Sequence, residues 1–186
     1  LLMVAVQQAR EGGRDLSCIN NLRQFAISSQ THVATHGHFP ASGWGSNWVP
    51  VRDRGSGVKQ PGGWMYNLLP FLEATTMHEL GASEDEVRAG LEIGRVEEFN
   101  SLIHPSFVCP TKLPPNNDRM YSGTAWSGRA HGGYPSSYAI NAGSSSIFGE
   151  LVGPASLDFS DFSSLWPANV KPANGLACPG QLLRPK

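Results

Sequence analysis

The feature that most constrains the fold is a long helical pattern at the start of the chain. From Leu2 to about His36, apolar residues recur at steps of three and four, which places them on one stripe of an α-helix. Gly37 suits the C-terminal cap, and Pro40 prevents the helix from continuing. At 1.5 Å per residue such a helix is about 50 Å long. We therefore expect a globular domain of this chain to cover one half of the helix and the other half to protrude.

Two neighbouring asparagines lie in the middle of this helical pattern, close to Cys18. Asparagine is a mediocre helix former whose amide competes for backbone hydrogen bonds. We expect the amides of Asn20 and Asn21 to bond to the backbone near Cys109 or Ala139. The residues predicted to serve packing or assembly are Leu2, Val6, Ala9, Leu16, Ile19, Asn20, Asn21, Leu22 and Phe25.

Composition and charge exclude some classes of partner. The 186 residues suit one domain, and 21 glycines with 14 prolines predict extensive loops. The net charge is −1 and no basic block occurs, so nothing attracts nucleic acid or an anionic membrane surface electrostatically. We therefore predict no nucleic-acid partner.

The first six residues, Leu1 to Val6, are apolar and resemble the end of a longer apolar segment. The frayed end of an ordinary core helix explains them equally well. No stretch of the sequence reaches the roughly 18 to 20 apolar residues that span a bilayer. Membrane attachment would therefore need apolar residues that precede this sequence.

Three cysteines, Cys18, Cys109 and Cys178, leave the redox state open. None belongs to a C-x-x-C pair, so neither a thioredoxin-like motif nor a zinc ribbon is indicated. A Cys109–Cys178 disulfide with one free thiol would suit an oxidising compartment, and three reduced thiols would suit the cytosol. Counting cysteines does not decide between these alternatives.

The sequence nominates no catalytic or metal centre. His32 and His36 are four residues apart, but the glutamate of H-E-x-x-H and a third ligand are both missing. Histidines near a helix C-terminus are more simply explained as solvent-facing or capping groups that the helix dipole favours. No G-x-S-x-G, P-loop or G-x-G-x-x-G motif occurs. We therefore predict a protein that is not an enzyme and has no metal and no cofactor.

Shorter patterns follow the long helix. Residues 64–74 read as a short amphipathic helix, and Ser83 with Glu86 forms a capping box that begins another. The segments "PSFVCP", "YPSSYAINAG" and "SIFGELVG" are predicted strands.

The tryptophans of the loops are either folded back onto the helix or exposed for binding. As candidate binding residues they are Trp44, Trp48 and Trp126.

Four segments, in this order along the chain, resemble landmarks of the DUF1559 family, bacterial proteins related to type IV pilins and type II secretion pseudopilins. The first segment runs through "AVQQAREGGRDLSCINNLRQ" and ends at "GHFP". The others are "GGWMYNLLPFLEA", "FVCPT" and "SSYAINAG". Together they extend over residues 1 to 143.

This resemblance implies an α+β, pilin-like fold in which a long N-terminal α-helix packs on a small antiparallel β-sheet with long loops. Residues 1–15 would be the protruding remnant of an apolar helix, and residues 16–186 one globular domain. That domain would comprise helix 16–36, loops and short helices over 41–103, and sheet and loops over 104–186.

The resemblance also implies a non-catalytic structural subunit of the bacterial cell envelope. It would assemble through its N-terminal helix, with copies of itself or other pilin-like subunits, into a filament or secretion apparatus. A missing apolar segment would anchor it in the inner membrane before assembly, with the globular domain periplasmic or extracellular. The alternative is an extracellular module that binds a glycan or secreted substrate on a membrane-anchored helix.

Overall fold

The chain begins with one long helix, α1, which spans Leu2–His36. It ends where the sequence predicts: Gly37 has a positive φ of 75°, and its backbone N–H donates to the carbonyl of Val33 at 2.8 Å. The computed structural model describes residues 2–44, 48–90, 104–112, 121–124, 130–133, 136–139, 154 and 156–158.

Short elements follow α1. Helix α2 spans Trp64–Leu68 and continues into a 3₁₀ turn over Leu69–Leu72, which confirms the helix predicted there. Further 3₁₀ turns span Arg52–Arg54 and Pro105–Phe107. Two more helices lie in the part of the chain that the structure describes: α3, Thr75–Glu79, and α4, Glu84–Arg88.

The predicted capping box begins α4. The Ser83 hydroxyl accepts from the backbone N–H of Glu86 at 3.2 Å, and the Glu86 carboxylate accepts from the backbone N–H of Ser83 at 2.7 Å. Two N–H groups that would otherwise lack partners are satisfied reciprocally. The local sequence pattern was therefore sufficient to locate this helix start.

The strands that the structure describes form one two-stranded antiparallel ribbon. Strand β1, Tyr121–Thr124, pairs with β2, Ala130–Gly133, in a register that places Tyr121 opposite Gly133. Both strands lie between the predicted strands "PSFVCP" and "YPSSYAINAG". Neither coincides with a predicted strand.

The expected α+β fold, a long helix on a small antiparallel sheet, is wrong for the described part of the chain. There α1 packs against α2 and the 3₁₀ turns over 69–72 and 105–107. The predicted strand "PSFVCP" begins as one of these turns, because the backbone N–H of Phe107 donates locally to the carbonyl of His104 at 2.9 Å. Residues 136–139 of "YPSSYAINAG" form no strand, and "SIFGELVG" lies outside the described residues.

Aromatic side chains build the main core beneath α1. The ring of Phe25 stacks on Phe107 at 5.3 Å between centroids and meets the edges of Trp64 at 5.8 Å and Tyr138 at 5.2 Å. Leu69 lies in the same cluster and is 1% exposed. One phenylalanine of the helix thereby joins three separate chain segments.

A second core lies under the loops that follow α1, formed by Trp44, Val51 and Leu157. Gln60, also fully buried, accepts from the backbone N–H groups of Val51 and Gly62 at 3.0 and 2.9 Å. Its amide nitrogen donates to the carbonyls of Val51 and Gly55 at 2.7 and 2.6 Å. The side chain thus supplies the hydrogen bonds that a regular element would otherwise provide.

Within the described residues, every helix falls short of the continuous apolar length that crossing a bilayer requires.

Candidate functional site

A disulfide between Cys18 and Cys109 links α1 to the rest of the domain, with the two Cα atoms 5.0 Å apart. We call the contact between α1 and the domain around this bond the seam. The Cys109–Cys178 bond, which the sequence left open as one of two alternatives, is therefore wrong, and Cys178 lies outside the described residues. The bond joins residues separated by 91 positions. The packing of "FVCP" beneath the helix brings these two cysteines together, which sequence spacing alone could not reveal.

Hydrogen bonds reinforce the same seam. The Asn21 amide donates to the carbonyl of Val108 and to the Tyr138 hydroxyl, both at 3.2 Å. The Tyr138 hydroxyl in turn donates to the carbonyl of Cys18 at 3.3 Å. The expectation that these asparagines bond near Cys109 is confirmed for Asn21. It is wrong for Asn20, whose exposed amide oxygen accepts from Arg23 at 3.4 Å.

The apolar stripe predicted to face the domain is mostly exposed. Of its members only Phe25 is buried, and the other buried side chains of α1 are Ser28 and His32. The side of α1 that faces the domain therefore carries polar and aromatic residues. Four large apolar residues of its middle turns are left in solvent, and we call them the outer face. They are Leu16, Ile19, Leu22 and Ile27, which are 62%, 45%, 54% and 63% exposed.

The beginning of α1 carries a second exposed apolar group. Residues 2–10 are all exposed, and Leu2, Met3 and Val4 are 83%, 85% and 62% accessible. Among the described residues, the first hydrogen bond along α1 that reaches the domain runs from the Thr111 hydroxyl to Asp15 at 3.3 Å. The N-terminal turns of α1 therefore extend past the part of the domain that the structure describes.

The tryptophans predicted as a binding pair pack inside the second core. Trp44 is 2% exposed and its indole N–H donates to the carbonyl of Val58 at 2.7 Å. The half-buried Trp48 lies edge-on to it at 4.9 Å and donates to the carbonyl of Pro154 at 3.1 Å. The alternative, that these tryptophans fold back onto α1, is also wrong, because they pack against Val51 and Leu157. Trp126 lies outside the described residues.

An arginine fastens α4 to this second core. The Arg54 guanidinium lies 5.7 Å from the centre of the Trp44 ring and donates to the carbonyl of Leu157 at 2.8 Å. It also donates to Glu84 at 2.9 Å. This bond, together with one from Arg88, holds the pKa of the Glu84 carboxyl below its ordinary value. Because the ion pair between Arg54 and Glu84 is partly exposed to solvent, it contributes little to the stability of the domain.

The histidines at the end of α1 are not simply solvent-facing. His32 is 0% exposed and His38 is 8% exposed, whereas His36 is exposed. Burial, together with the neighbouring imidazoles, lowers the pKa of His32 to about 4. Among the described residues no group of three or more ligating side chains is arranged to hold a metal ion.

The sequence did not predict two features of this region: the pairing of Cys18 with Cys109 and the burial of His32. The four-residue step from Ser28 to His32 carried the signal for the second feature, because both polar residues share a helix side with Phe25. Hydrophobicity alone does not identify such a side as the buried one.

Comparison with known proteins agrees with the resemblance seen in the sequence. The family model described as a protein of unknown function (DUF1559) matches residues 7–158. The match begins in the exposed turns of α1 and includes both cysteines of the seam. No curated protein and no solved structure matches the chain. With most of its length covered by the family model, the chain belongs to the DUF1559 family.

Proposed function

We propose that this protein is a non-catalytic structural subunit of the bacterial cell envelope, which assembles through α1 in the manner of pilins and pseudopilins. The observation that carries the proposal is the exposed apolar surface of α1, made of the outer face and the N-terminal turns. Large apolar side chains that a domain leaves uncovered on one helix favour association with another apolar surface.

The disulfide supports a location outside the cytoplasm. Disulfides persist in oxidising compartments and are rare where cellular reductants keep thiols reduced. The Cys18–Cys109 bond joins α1 to the domain below the outer face. A periplasmic or extracellular domain would keep this bond, and its helix would stay attached to the domain during assembly.

The protruding turns support assembly through the helix rather than through the loops. Residues 2–10 are exposed, while Trp44 and Trp48, two of the three tryptophans considered for ligand binding, are packed in the second core. The partners we propose are further copies of this chain or other subunits with a comparable helix. The exposed N-terminal turns would lie in contact with those partners or with the membrane from which assembly starts.

The proposal predicts that the oxidised chain self-associates as its concentration rises. Replacing Leu16, Ile19 and Ile27 together by glutamine is expected to weaken association by about 100-fold or more, since each buried aliphatic side chain contributes about 1.5–3 kcal/mol. Sedimentation velocity over a wide concentration range measures the change, and electron microscopy tests whether the associated material forms regular filaments.

A matched control uses polar positions of the same helix that lie off the outer face. Ser17→Gln with Thr35→Gln changes two exposed residues and is expected to leave association unchanged. A wild-type chain that stays monomeric at every concentration would contradict the proposal. Equal loss of association in the control and the triple variant would remove the outer face as its basis.

A further inference from the structure

Three imidazoles meet where α1 ends and the chain turns back. The ring centroids of His32 and His36 are 4.6 Å apart, and that of His38 lies 5.3 Å from His32 and 6.1 Å from His36. Gly37 makes this possible, since its positive φ of 75° reverses the chain after the last helical turn. We call these three residues the histidine cluster.

His32 is held in a neutral, fully buried form. Its Nδ1 lies 2.9 Å from the carbonyl oxygen of His38, and because a carbonyl can only accept, Nδ1 carries the proton. The Nε2 atom then presents a lone pair, and within the part of the chain that the structure describes it is buried without a hydrogen-bond partner. Protonation would add an N–H donor and a positive charge at an atom that has no acceptor in reach.

The described groups around His32 offer no negative charge that would compensate that positive charge. On its own helix the facing group is His36, and on the returning segment it is His38. From the 3₁₀ turn over 69–72 the facing group is the apolar ring of Phe71, 5.5 Å away. Glu73 follows that turn and is exposed. The Coulombic effect of both neighbouring imidazoles lowers the pKa of His32 further, so they oppose its protonation.

The segment that follows α1, residues 37–44, is largely buried by its contacts with the rest of the domain. Pro40, Ala41 and Trp44 are each at most 2% exposed. The backbone N–H of Trp44 donates to the carbonyl of Pro61 at 3.1 Å, and Asn67 donates to the carbonyl of Ala41 at 3.4 Å. The bond from His32 to the His38 carbonyl therefore begins a continuous attachment of residues 37–44.

We propose that the histidine cluster is an acid-sensitive latch, which holds residues 37–44 against α1 at neutral pH and releases them on acidification. The inference is independent of the proposed assembly, because it concerns the end of α1 opposite to the protruding turns. An environment that acidifies would loosen the connection between the helix and the domain at this end, while the Cys18–Cys109 bond keeps the two attached.

The direction of the pH effect follows from the pKa of His32. In the opened segment the imidazole takes up a proton near its ordinary value of 6.5, whereas in the closed state burial lowers the pKa to about 4. The stability of the closed state is therefore complete above pH 6.5 and is lost as the pH falls from 6.5 toward 4. Between pH 7 and pH 5 the opening equilibrium constant is expected to rise about 20-fold.

Hydrogen exchange followed by mass spectrometry tests the latch directly. The oxidised chain is compared at pH 7 and pH 5 in the presence of EDTA, with rates corrected for intrinsic exchange. Peptides covering 30–44 are expected to lose about 20-fold in protection, while peptides covering α4 change less. The variant H32F keeps an aromatic ring and is expected to remove most of the pH dependence in 30–44, leaving the smaller part that His36 contributes through its own lowered pKa.

His78 supplies the matched control. It stacks on Tyr66 at 4.4 Å, and burial lowers its pKa as well, but it lies outside the histidine cluster. The variant H78F is expected to keep the pH dependence of residues 30–44. A pH dependence that is undiminished in H32F, or that spreads equally over all peptides, would overturn the latch.

A measurement on the wild-type chain tests the proposal even if the H32F variant fails to fold. The ring carbon resonances of His32 report its protonation, and an NMR titration of the folded protein is expected to place the midpoint well below 6.5. A midpoint at or above 6.5 with the domain still folded would overturn the proposal, because protonation would then cost the closed state nothing.

Discussion

Replacing Cys18 and Cys109 by serine is expected to lower the free energy of unfolding by about 4 kcal/mol, which corresponds to a fall in Tm of about 10 °C. The bond joins residues separated by 91 positions, so it removes a large share of the chain entropy of the unfolded state. Thermal and urea unfolding of the oxidised protein measure both quantities. Asn21 and its hydrogen bonds remain in the variant, so the loss reports mainly the covalent link.

The third cysteine provides the control for this connectivity. Cys178→Ser is expected to leave Tm unchanged, and peptide mapping under non-reducing conditions is expected to recover residues 18 and 109 in one linked species. A large loss of stability in Cys178→Ser, with none in Cys18→Ser, would show that the seam is not closed by the bond described above.

Phe25→Ala is expected to cost about 3–5 kcal/mol of unfolding free energy, the usual range for truncating a buried aromatic side chain. Phe25 is 8% exposed and contacts Phe107, Trp64 and Tyr138, which belong to three different segments. The alanine leaves a cavity at the point where these segments meet. Urea unfolding, fitted with a common slope for wild type and variant, gives the difference.

Ile27→Ala is the matched control on the same helix. Ile27 is 63% exposed on the outer face, so its truncation is expected to change stability by about 0.5 kcal/mol or less. Comparable losses in Phe25→Ala and Ile27→Ala would mean that the domain covers a different side of α1. The pair of variants therefore tests which side of the helix faces inward, independently of any assembly experiment.

The two experiments also separate stability from association. Phe25 and the disulfide act on the inward side of α1, whereas Leu16, Ile19 and Ile27 lie on the outer face. Variants of the outer face are expected to retain the wild-type Tm while losing association. A subunit whose helix serves both purposes would need this division, because one helical side cannot pack against the domain and against a partner at once.

Local sequence patterns predicted the local structure well. The apolar period with Gly37 and Pro40 predicted the extent of α1, and Ser83 with Glu86 predicted the start of α4, since each depends on residues a few positions apart. The strand predictions were wrong where an apolar run was short and flanked by proline. In "PSFVCP" such a run fits a 3₁₀ turn as well as a strand, and the local hydrogen bond of Phe107 decides between them.

Patterns within the sequence were thus sufficient to predict a long helix with a defined end, the helices α2 and α4 but not α3, and membership of the DUF1559 family. Only the tertiary structure decided which side of α1 is buried, that Cys18 pairs with Cys109, and that His32 lies in the core. The physical reason is that helix formation depends on neighbours within about one turn. Burial and disulfide pairing depend on which distant segment packs against the helix, here the region around Phe107 and Cys109.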